Sequence, residues 1–338
     1  MKSILVCAGL SAAFIAAPAM AQEDPAALFG KKTITVFIGN TAGGTYDLYG
    51  RLAARFLGKF IPGNPTIVAE NMPGAGTIRA ANHVYNVAPK DGTALGVVAE
   101  TVAVEQAVGN SAVRYDAAKF TWVGRFVSSA GVHIMWNTSK VQSLDDARSF
   151  EALTAGTGAG NVAETVPMLM NALLGTKFKL VRGYPSATEA MLALERGEVE
   201  GTAVNWTSMR TVRADWVRDN KIKVIFQYLG QRNPKLPDAP ALGELGNDLE
   251  SRQLFQLYGS MGDIGRSIFA APGVPAANAK ILRDAFNAMV RNEEFMAEAT
   301  RLGAELEPAT GDELQAWISR TLEVPQSAVD KAKAIFAR

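Results

Sequence analysis

Residues 33–56 read TITVFIGNTAGGTYDLYGRLAARF, and this stretch decides the fold. The β-branched run 33–38 predicts a buried strand that ends at Gly39. From Thr45 onward apolar residues recur at intervals of three and four, which predicts an amphipathic helix that stops before Pro62. A strand, a Gly-rich turn and a helix in this order are the repeating unit of an α/β fold.

The same order of elements repeats along the chain. Further strands are predicted at residues 66–70, 93–98, 132–136, 152–155, 178–181 and 201–204, and further helices at 77–87, 162–174, 187–196, 276–292 and 312–322. Because such units place parallel strands side by side, we expect an α/β protein of two lobes, each with a mainly parallel central sheet. The proline-rich stretch 234–240 is a suitable place for the chain to cross between lobes. We therefore expect lobe 1 to comprise residues 22–125 plus 240–338, and lobe 2 residues 126–239.

The first 21 residues have the pattern of a secretory signal peptide. Lys2 precedes an apolar stretch at 4–17, and the small-residue site Ala19-Met20-Ala21 follows, which predicts cleavage after Ala21 and a periplasmic location. The apolar stretch is short for a membrane-spanning helix, so the mature chain is not expected to insert into a membrane. Cys7 is the one cysteine and would leave with the signal, which excludes disulfides and thiolate catalysis.

The mature chain is close to electrical neutrality. The sequence has 34 Lys and Arg residues against 33 Asp and Glu residues, and removal of Lys2 makes the two numbers equal. A chain without an excess of positive charge does not attract nucleic acid over its whole surface. We expect a monomer in which charges near the binding site, and not the net charge of the protein, attract the ligand.

Two Gly-rich loops, at residues 39–47 and 154–161, are candidate anion sites because each lies between a predicted strand and a predicted helix. Small residues let backbone N–H groups point outward at a helix N-terminus, where the helix dipole favours an anion. An ordinary capped turn is the alternative for the first loop, and Asp47 would then stabilise the first helical turn. The second loop has Ala163 where a dinucleotide-binding G-x-G-x-x-G needs glycine, so no cofactor is expected.

Patterns typical of enzymes are weak in this sequence. His83 and His133 do not have the spacing of metal ligands, and each favours a structural role. Ser260 lies in a stretch that is similar to a nucleophile elbow, but Tyr258 stands where G-x-S-x-G requires glycine. We predict no enzyme and no metal, and an exported serine hydrolase that uses Ser260 is a remote alternative.

Seven segments, in order, resemble the tripartite tricarboxylate transporter substrate-binding proteins, also called the Bug or TctC-like family. They are residues 42–47, 70–76, 88–93, 156–161, 194–200, 236–240 and 270–275. The resemblance implies a Venus-flytrap fold that binds a small carboxylate between its lobes and delivers it to membrane transporter subunits of the tripartite tricarboxylate type. A periplasmic sensing module, which would present its closed form to a receptor, is the alternative.

The resemblance also implies which residues contact the carboxylate. By position they are Thr41, Ala42, Gly43, Gly44, Thr45, Asp47, Thr101, Thr157, Gly158, Ala159, Gly160, Asn161 and Asn205. Asn205 stands where many members of the family have aspartate, and an amide there would tolerate an anion that aspartate repels. Tyr184 is displaced by one position from the tyrosine of the family.

Overall fold

The structure is a computed structural model that describes residues 28–157, 162–184 and 187–336. Within these ranges the strands are β1 Thr33–Ile38, β2 Thr66–Asn71, β3 Ala94–Val97, β4 Thr121–Val127, β5 Gly131–Trp136, β6 Ala152–Ala155, β7 Phe178–Val181, β8 Gly201–Asn205, β9 Ile222–Gln227, β10 Arg266–Ala270 and β11 Ala309–Thr310. The α-helices are α1 Thr45–Phe56, α2 Ile78–Asn86, α3 Val102–Ala107, α4 Leu144–Ser149, α5 Val162–Leu174, α6 Ala187–Glu195, α7 Trp206–Val212, α8 Ala214–Arg218, α9 Leu249–Ile264, α10 Ala276–Met289, α11 Glu293–Arg301, α12 Gly311–Leu322 and α13 Gln326–Phe336. None of the helices in these ranges is both long enough and apolar enough to cross a membrane. The predicted signal peptide and four of the predicted site residues, Gly158, Ala159, Gly160 and Asn161, lie outside the described residues.

The described strands form two mixed sheets. The first sheet has the order β11-β4-β10-β3-β1-β2, and the second has the order β7-β6-β8-β5-β9. In the first sheet β10 is antiparallel to β3 and β4, and in the second β5 is antiparallel to β8 and β9, while β1 to β3 and β6 to β8 run parallel. Most strands of each sheet thus share one direction, which confirms the predicted α/β class. The repeating pattern does not indicate the reversed direction of β5, β10 and β11.

The chain passes from the first sheet to the second between β4 and β5, and it returns between β9 and β10. The returning segment contains the proline-rich stretch 234–240 and then α9. Both α9 and α13 contribute to the apolar core beside the second sheet, where Phe255 and Ala328 are buried together. The lobe limits at residues 125 and 240 stay a prediction, since these helices follow the crossing and still pack with the second sheet.

Apolar side chains cover both faces of each sheet. On one face of the first sheet Phe126 is fully buried, and its ring centroid lies 5.4 Å from that of Tyr49 and 4.9 Å from that of Phe286. Tyr49 belongs to the three-and-four spacing that predicted α1, and burying an aromatic ring of this kind contributes about 1.5–3 kcal/mol. The amphipathic pattern of residues 45–56 therefore sets the face on which α1 packs.

His133 is a fully buried residue of β5. Its Nδ1 lies 2.8 Å from the hydroxyl of Tyr228, and its Nε2 lies 3.1 Å from the hydroxyl of Thr154. Burial lowers the pKa of His133 to about 3. The imidazole is therefore a neutral part of the core between β5 and its neighbouring strands.

Ser260 lies inside α9, where its side chain is buried and its hydroxyl donates to the carbonyl of Leu257 at 2.6 Å. A nucleophile elbow needs an exposed serine at a sharp turn from a strand to a helix. The hydrolase alternative therefore has no structural support at Ser260.

Candidate functional site

The first Gly-rich loop joins β1 to α1 and is exposed from residue 41 to residue 45. No side chain caps the first turn of α1, whose N-cap residue is Gly44. The N–H groups at a helix start have no partner within the helix, and the positive end of the helix dipole lies beside them. Residues 43–45 line a cavity of about 590 Å³ together with Arg51. This loop can therefore receive an anion through its backbone.

The carboxylate of Asp47 holds the loop in place. It accepts hydrogen bonds from the N–H of Gly43 at 2.9 Å, from Nε of Arg51 at 2.9 Å and from Nδ2 of Asn71 at 2.8 Å. Burial by itself raises the pKa of Asp47, but these hydrogen bonds outweigh it and the pKa is lowered. Nδ2 of Asn71 also donates to the carbonyl of Asn40 at 2.9 Å. The geometry thus gives Asp47 a supporting position behind the loop.

Gly39 lies at the carboxyl end of β1, where three chain segments meet. Its N–H donates to the carbonyl of Val97 at 2.9 Å. Thr77 has a φ of 82°, in the left-handed region, and its hydroxyl accepts a hydrogen bond from the N–H of Ala99 at 3.0 Å. A Cβ atom on residue 39 would lie 2.6 Å from Cβ of Thr77, which is too close for two carbon atoms. Glycine at position 39 therefore allows the end of β1 to lie close to Thr77.

We expect Gly39→Ala to lower the free energy of unfolding by about 1–3 kcal/mol, the usual cost of overpacking a tight site. Urea denaturation measures this change. Gly44→Ala is the matched control, because its added Cβ would lie 3.9 Å from the nearest atom, the carbonyl oxygen of Thr41, at a φ of −86°. The control should change stability by less than about 0.5 kcal/mol. Equal effects of the two substitutions would contradict the packing argument.

Thr157 and Asn205 line a cavity of about 270 Å³ at the carboxyl ends of β6 and β8. The first residues of α5 and α6, Val162 and Ala187, line the same cavity. Two helix N-termini, a hydroxyl and an amide form a polar environment that suits an anion. Ser129, in the passage from β4 to β5, also lines this cavity.

Four polar residues, Tyr46, Glu100, Ser129 and Arg266, form what we call the Arg266 cluster. Nη1 of Arg266 lies 3.3 Å from Oε2 of Glu100 and 3.0 Å from the hydroxyl of Ser129. The guanidinium carbon lies 4.8 Å from the centroid of the Tyr46 ring, and the Tyr46 hydroxyl accepts a hydrogen bond from the N–H of Glu100 at 3.3 Å. The side chains of Arg266 and Glu100 are 18% and 22% exposed, so the ion pair is largely shielded from solvent.

Arg266 is well placed to bind an anion. Its hydrogen bonds with described residues use Nη1, so within the described part of the chain Nε and Nη2 stay available. A guanidinium binds a carboxylate through two parallel N–H groups. The local sequence pattern does not indicate this arginine. It is the first residue of β10, and the antiparallel direction of that strand brings it to the edge where β3 and β4 end. An arginine at the first position of an antiparallel strand is the feature that would identify this site residue.

The structure places the predicted site residues around three cavities rather than one. The cavities of about 590, 270 and 890 Å³ are lined respectively by Gly43, Gly44, Thr45 and Asp47, by Thr157 and Asn205, and by Thr101. Thr41 and Ala42 precede the first group in the exposed loop. The Arg266 cluster connects the three groups, because Tyr46 follows Thr45, Glu100 precedes Thr101, and Ser129 lines the cavity of Asn205.

The chain passes twice between two α/β sheets, and polar groups lie at the ends of both sheets, so the fold has two lobes. A family model described as "Tripartite tricarboxylate transporter family receptor" matches residues 53–332. The chain therefore belongs to this family, and the resemblance found in the seven sequence segments is confirmed.

Individual relatives agree with this assignment. The "UPF0065 protein in gbd 5'region" of Cupriavidus necator is 28% identical over 277 residues, which cover 77% of this chain and 79% of that protein. A TctC solute binding protein from Polaromonas has a TM-score of 0.69 at 18% identity, over 88% of this chain and 98% of that chain. An R. palustris protein solved with adipate has a TM-score of 0.55 at 18% identity, over 89% and 97% of the two chains. At these identities the two structures show the shared fold.

Proposed function

We propose that this protein captures a small organic carboxylate between its two lobes and delivers it to a membrane transporter of the tripartite tricarboxylate type. The observation that carries the proposal is the position of Arg266, a shielded cation whose Nε and Nη2 make no hydrogen bond with a described residue. Its partner Tyr46 follows the first Gly-rich loop, and its partner Ser129 lines the same cavity as Thr157. A nearly neutral protein has to attract an anion locally, and a partly buried guanidinium does so more strongly than an exposed one. The adipate in the R. palustris structure supports the same class of ligand.

Each group of site residues has its own part in this proposal. The loop of residues 41–45 offers N–H groups and hydroxyls at the start of α1, and Thr157 offers a hydroxyl beyond the end of β6. Thr101, beyond the end of β3, and Asn205, the last residue of β8, contribute side chains. Asp47 fixes the first loop, and Arg266 binds a ligand carboxylate through Nε and Nη2. Binding then draws the two lobes together, since the contacts come from both sheets.

The proposal includes a periplasmic site of action and a monomeric protein without catalytic activity. A signal peptide at residues 1–21 places the mature N-terminus at Gln22, and the intact mass of the exported protein measures this directly. The proposal keeps the lobe limits predicted from the sequence, residues 22–125 plus 240–338 for lobe 1 and residues 126–239 for lobe 2. Loss of carboxylate uptake on deletion of the protein supports a transport role, whereas unchanged uptake with a lost transcriptional response would support the sensing role.

We expect organic acids to raise the melting temperature of the purified mature protein. A ligand that binds only the folded state at 100 times its Kd adds about 2.7 kcal/mol to the free energy of unfolding. The measurement is thermal unfolding with a panel of mono-, di- and tricarboxylates, and the matched controls are the amides of the same carbon skeletons. Absence of stabilisation by every acid, or equal stabilisation by acids and amides, would contradict the proposed function.

A further inference from the structure

The 890 Å³ cavity lies among four helices, α3, α5, α9 and α13. Its wall is mainly apolar and includes Val104, Val108, Met168, Tyr258, Met261 and Phe336. Ligand sites in proteins usually occupy about 300–1,000 Å³, so this cavity, here called the apolar chamber, has the size of a site for a whole small molecule. The 270 Å³ cavity of Asn205, in contrast, holds little more than a polar head group.

The apolar chamber adjoins the carboxylate site at three points. Thr101 lines the chamber and follows Glu100 of the Arg266 cluster. Glu164 lines the chamber and follows Ala163, which lines the cavity of Asn205. Met261 lines the chamber and precedes Gly262, whose carbonyl accepts a hydrogen bond from the N–H of Ser129 at 2.8 Å. A molecule bound at the Arg266 cluster therefore has the chamber beside it.

The apolar chamber also contains polar groups that a ligand could satisfy. The side chain of Tyr258 is buried, at 6% exposure, and its hydroxyl makes no hydrogen bond with a described residue. Tyr258 lines the chamber, so its hydroxyl can donate a hydrogen bond to the acceptor atom of a bound ligand. Lys333 lines the chamber and forms no ion pair within the described residues, while Glu105 accepts a hydrogen bond from Nδ2 of Asn110 at 2.7 Å. The unpaired donors on this wall thus suit an oxygen atom at the far end of a ligand.

We propose that the apolar chamber receives the body of the ligand, and that this protein prefers carboxylates with an aromatic ring or a medium-length aliphatic chain over compact acids. The inference rests on the proposed function, because it takes the Arg266 cluster as the carboxylate end of the same site. A second oxygen-bearing group at the distal end of the ligand, such as a second carboxylate, accepts a hydrogen bond from Tyr258.

The size preference is tested by filling the chamber. Isothermal titration calorimetry of the mature protein compares succinate, a compact acid, with suberate and 3-phenylpropionate, which have longer or aromatic bodies. We expect Met168→Trp to weaken binding of suberate and 3-phenylpropionate at least tenfold and to change succinate binding less than about twofold. Met296→Trp is the matched control, since Met296 lies on α11 and its side chain is exposed.

The distal hydrogen bond is tested by Tyr258→Phe, which keeps the shape of the ring. Loss of a net hydrogen bond corresponds to a loss of about 3- to 10-fold in suberate affinity, with 3-phenylpropionate unchanged because it has no distal acceptor. Wild-type protein that binds the two larger acids no more tightly than succinate overturns the inference. The inference is also overturned if Met168→Trp weakens the binding of all three acids equally. This result is expected if the chamber disappears when the lobes close, because the larger side chain would then hinder closure around any ligand. Failure of every acid to bind wild-type protein overturns the proposed function instead.

Discussion

Replacing Arg266 by methionine is expected to weaken carboxylate binding about 100-fold. A hydrogen bond to a charged group contributes about 1.5–3 kcal/mol, and each 1.4 kcal/mol is a factor of ten in affinity. The substitution also leaves the carboxylate of Glu100 without its partner at 3.3 Å, and this negative charge then repels the ligand. Calorimetric titration with the tightest acid of the panel measures the loss directly, independently of any change in melting temperature.

Three further variants separate charge from folding in this experiment. Glu100→Gln should strengthen binding several-fold, since Glu100 competes with the ligand for Arg266. The double variant Glu100→Gln with Arg266→Met should bind the acid more tightly than Arg266→Met alone but less tightly than wild type. The Glu100 charge no longer repels the ligand, while the guanidinium that binds the carboxylate is still missing. Arg218→Met is the matched control, an arginine of α8 whose side chain is 73% exposed. Wild-type affinity in a folded Arg266→Met protein would show that the carboxylate binds elsewhere.

The second large effect is expected on the stability of the protein toward acid. The folded pKa of His133, about 3, lies below the unfolded value of 6.5, so the unfolded chain binds a proton that the folded chain does not. The stabilisation is complete above pH 6.5 and is lost as the pH falls toward 3, by about 1.4 kcal/mol for each pH unit. Between pH 7 and pH 5, protonation of His133 in the unfolded chain should lower the free energy of unfolding by about 2 kcal/mol.

Comparison of wild type with His133→Gln isolates this contribution. Burial raises the pKa of Asp263 to about 6, and a raised pKa has the opposite sign, since stability is then lost as the pH rises from about 4 to 6. Asp263 is present in both proteins, so its contribution cancels in the difference. Urea unfolding at pH 7 and pH 5 should show a smaller acid loss in the variant. Parallel pH curves for the two proteins would contradict the assignment of a neutral, buried imidazole.

The elements that were predicted from sequence are those whose pattern is local. The runs at residues 33–38 and 178–181 are strands of the structure, and the three-and-four spacing after Thr45 forms α1. Strands β4 and β10 were not predicted, because each depends on a partner far away in the chain: β10 lies between β3 and β4 and pairs with residues about 150 positions earlier. Periodicity within a short window contains no information on such a pairing.

The same distinction applies to the candidate site. The Gly-rich loops were found because a turn between a strand and a helix is visible in ten residues of sequence. The Arg266 cluster combines residues from four separate stretches, and its ion pair joins positions 166 residues apart. Glu100 and Ser129 have no motif around them, and they become neighbours of Arg266 when the strand ends meet at one edge. The lining of the apolar chamber could not be predicted from the sequence either, because tertiary packing brings helices α3, α5, α9 and α13 together.

Residues from the last part of the chain belong to the core on both faces of the first sheet and on one face of the second, and this has a consequence for synthesis. Phe295 of α11 completes the core beside β1, Ile318 of α12 completes the opposite face, and Ala332 of α13 completes the core of the second sheet. A ribosome adds about 5–20 residues per second, so β1 waits on the order of ten seconds or more for Phe295. Neither lobe can finish folding while translation continues. The nascent chain therefore exposes apolar surface for chaperones throughout its synthesis, and it acquires its stability in a late, concerted step.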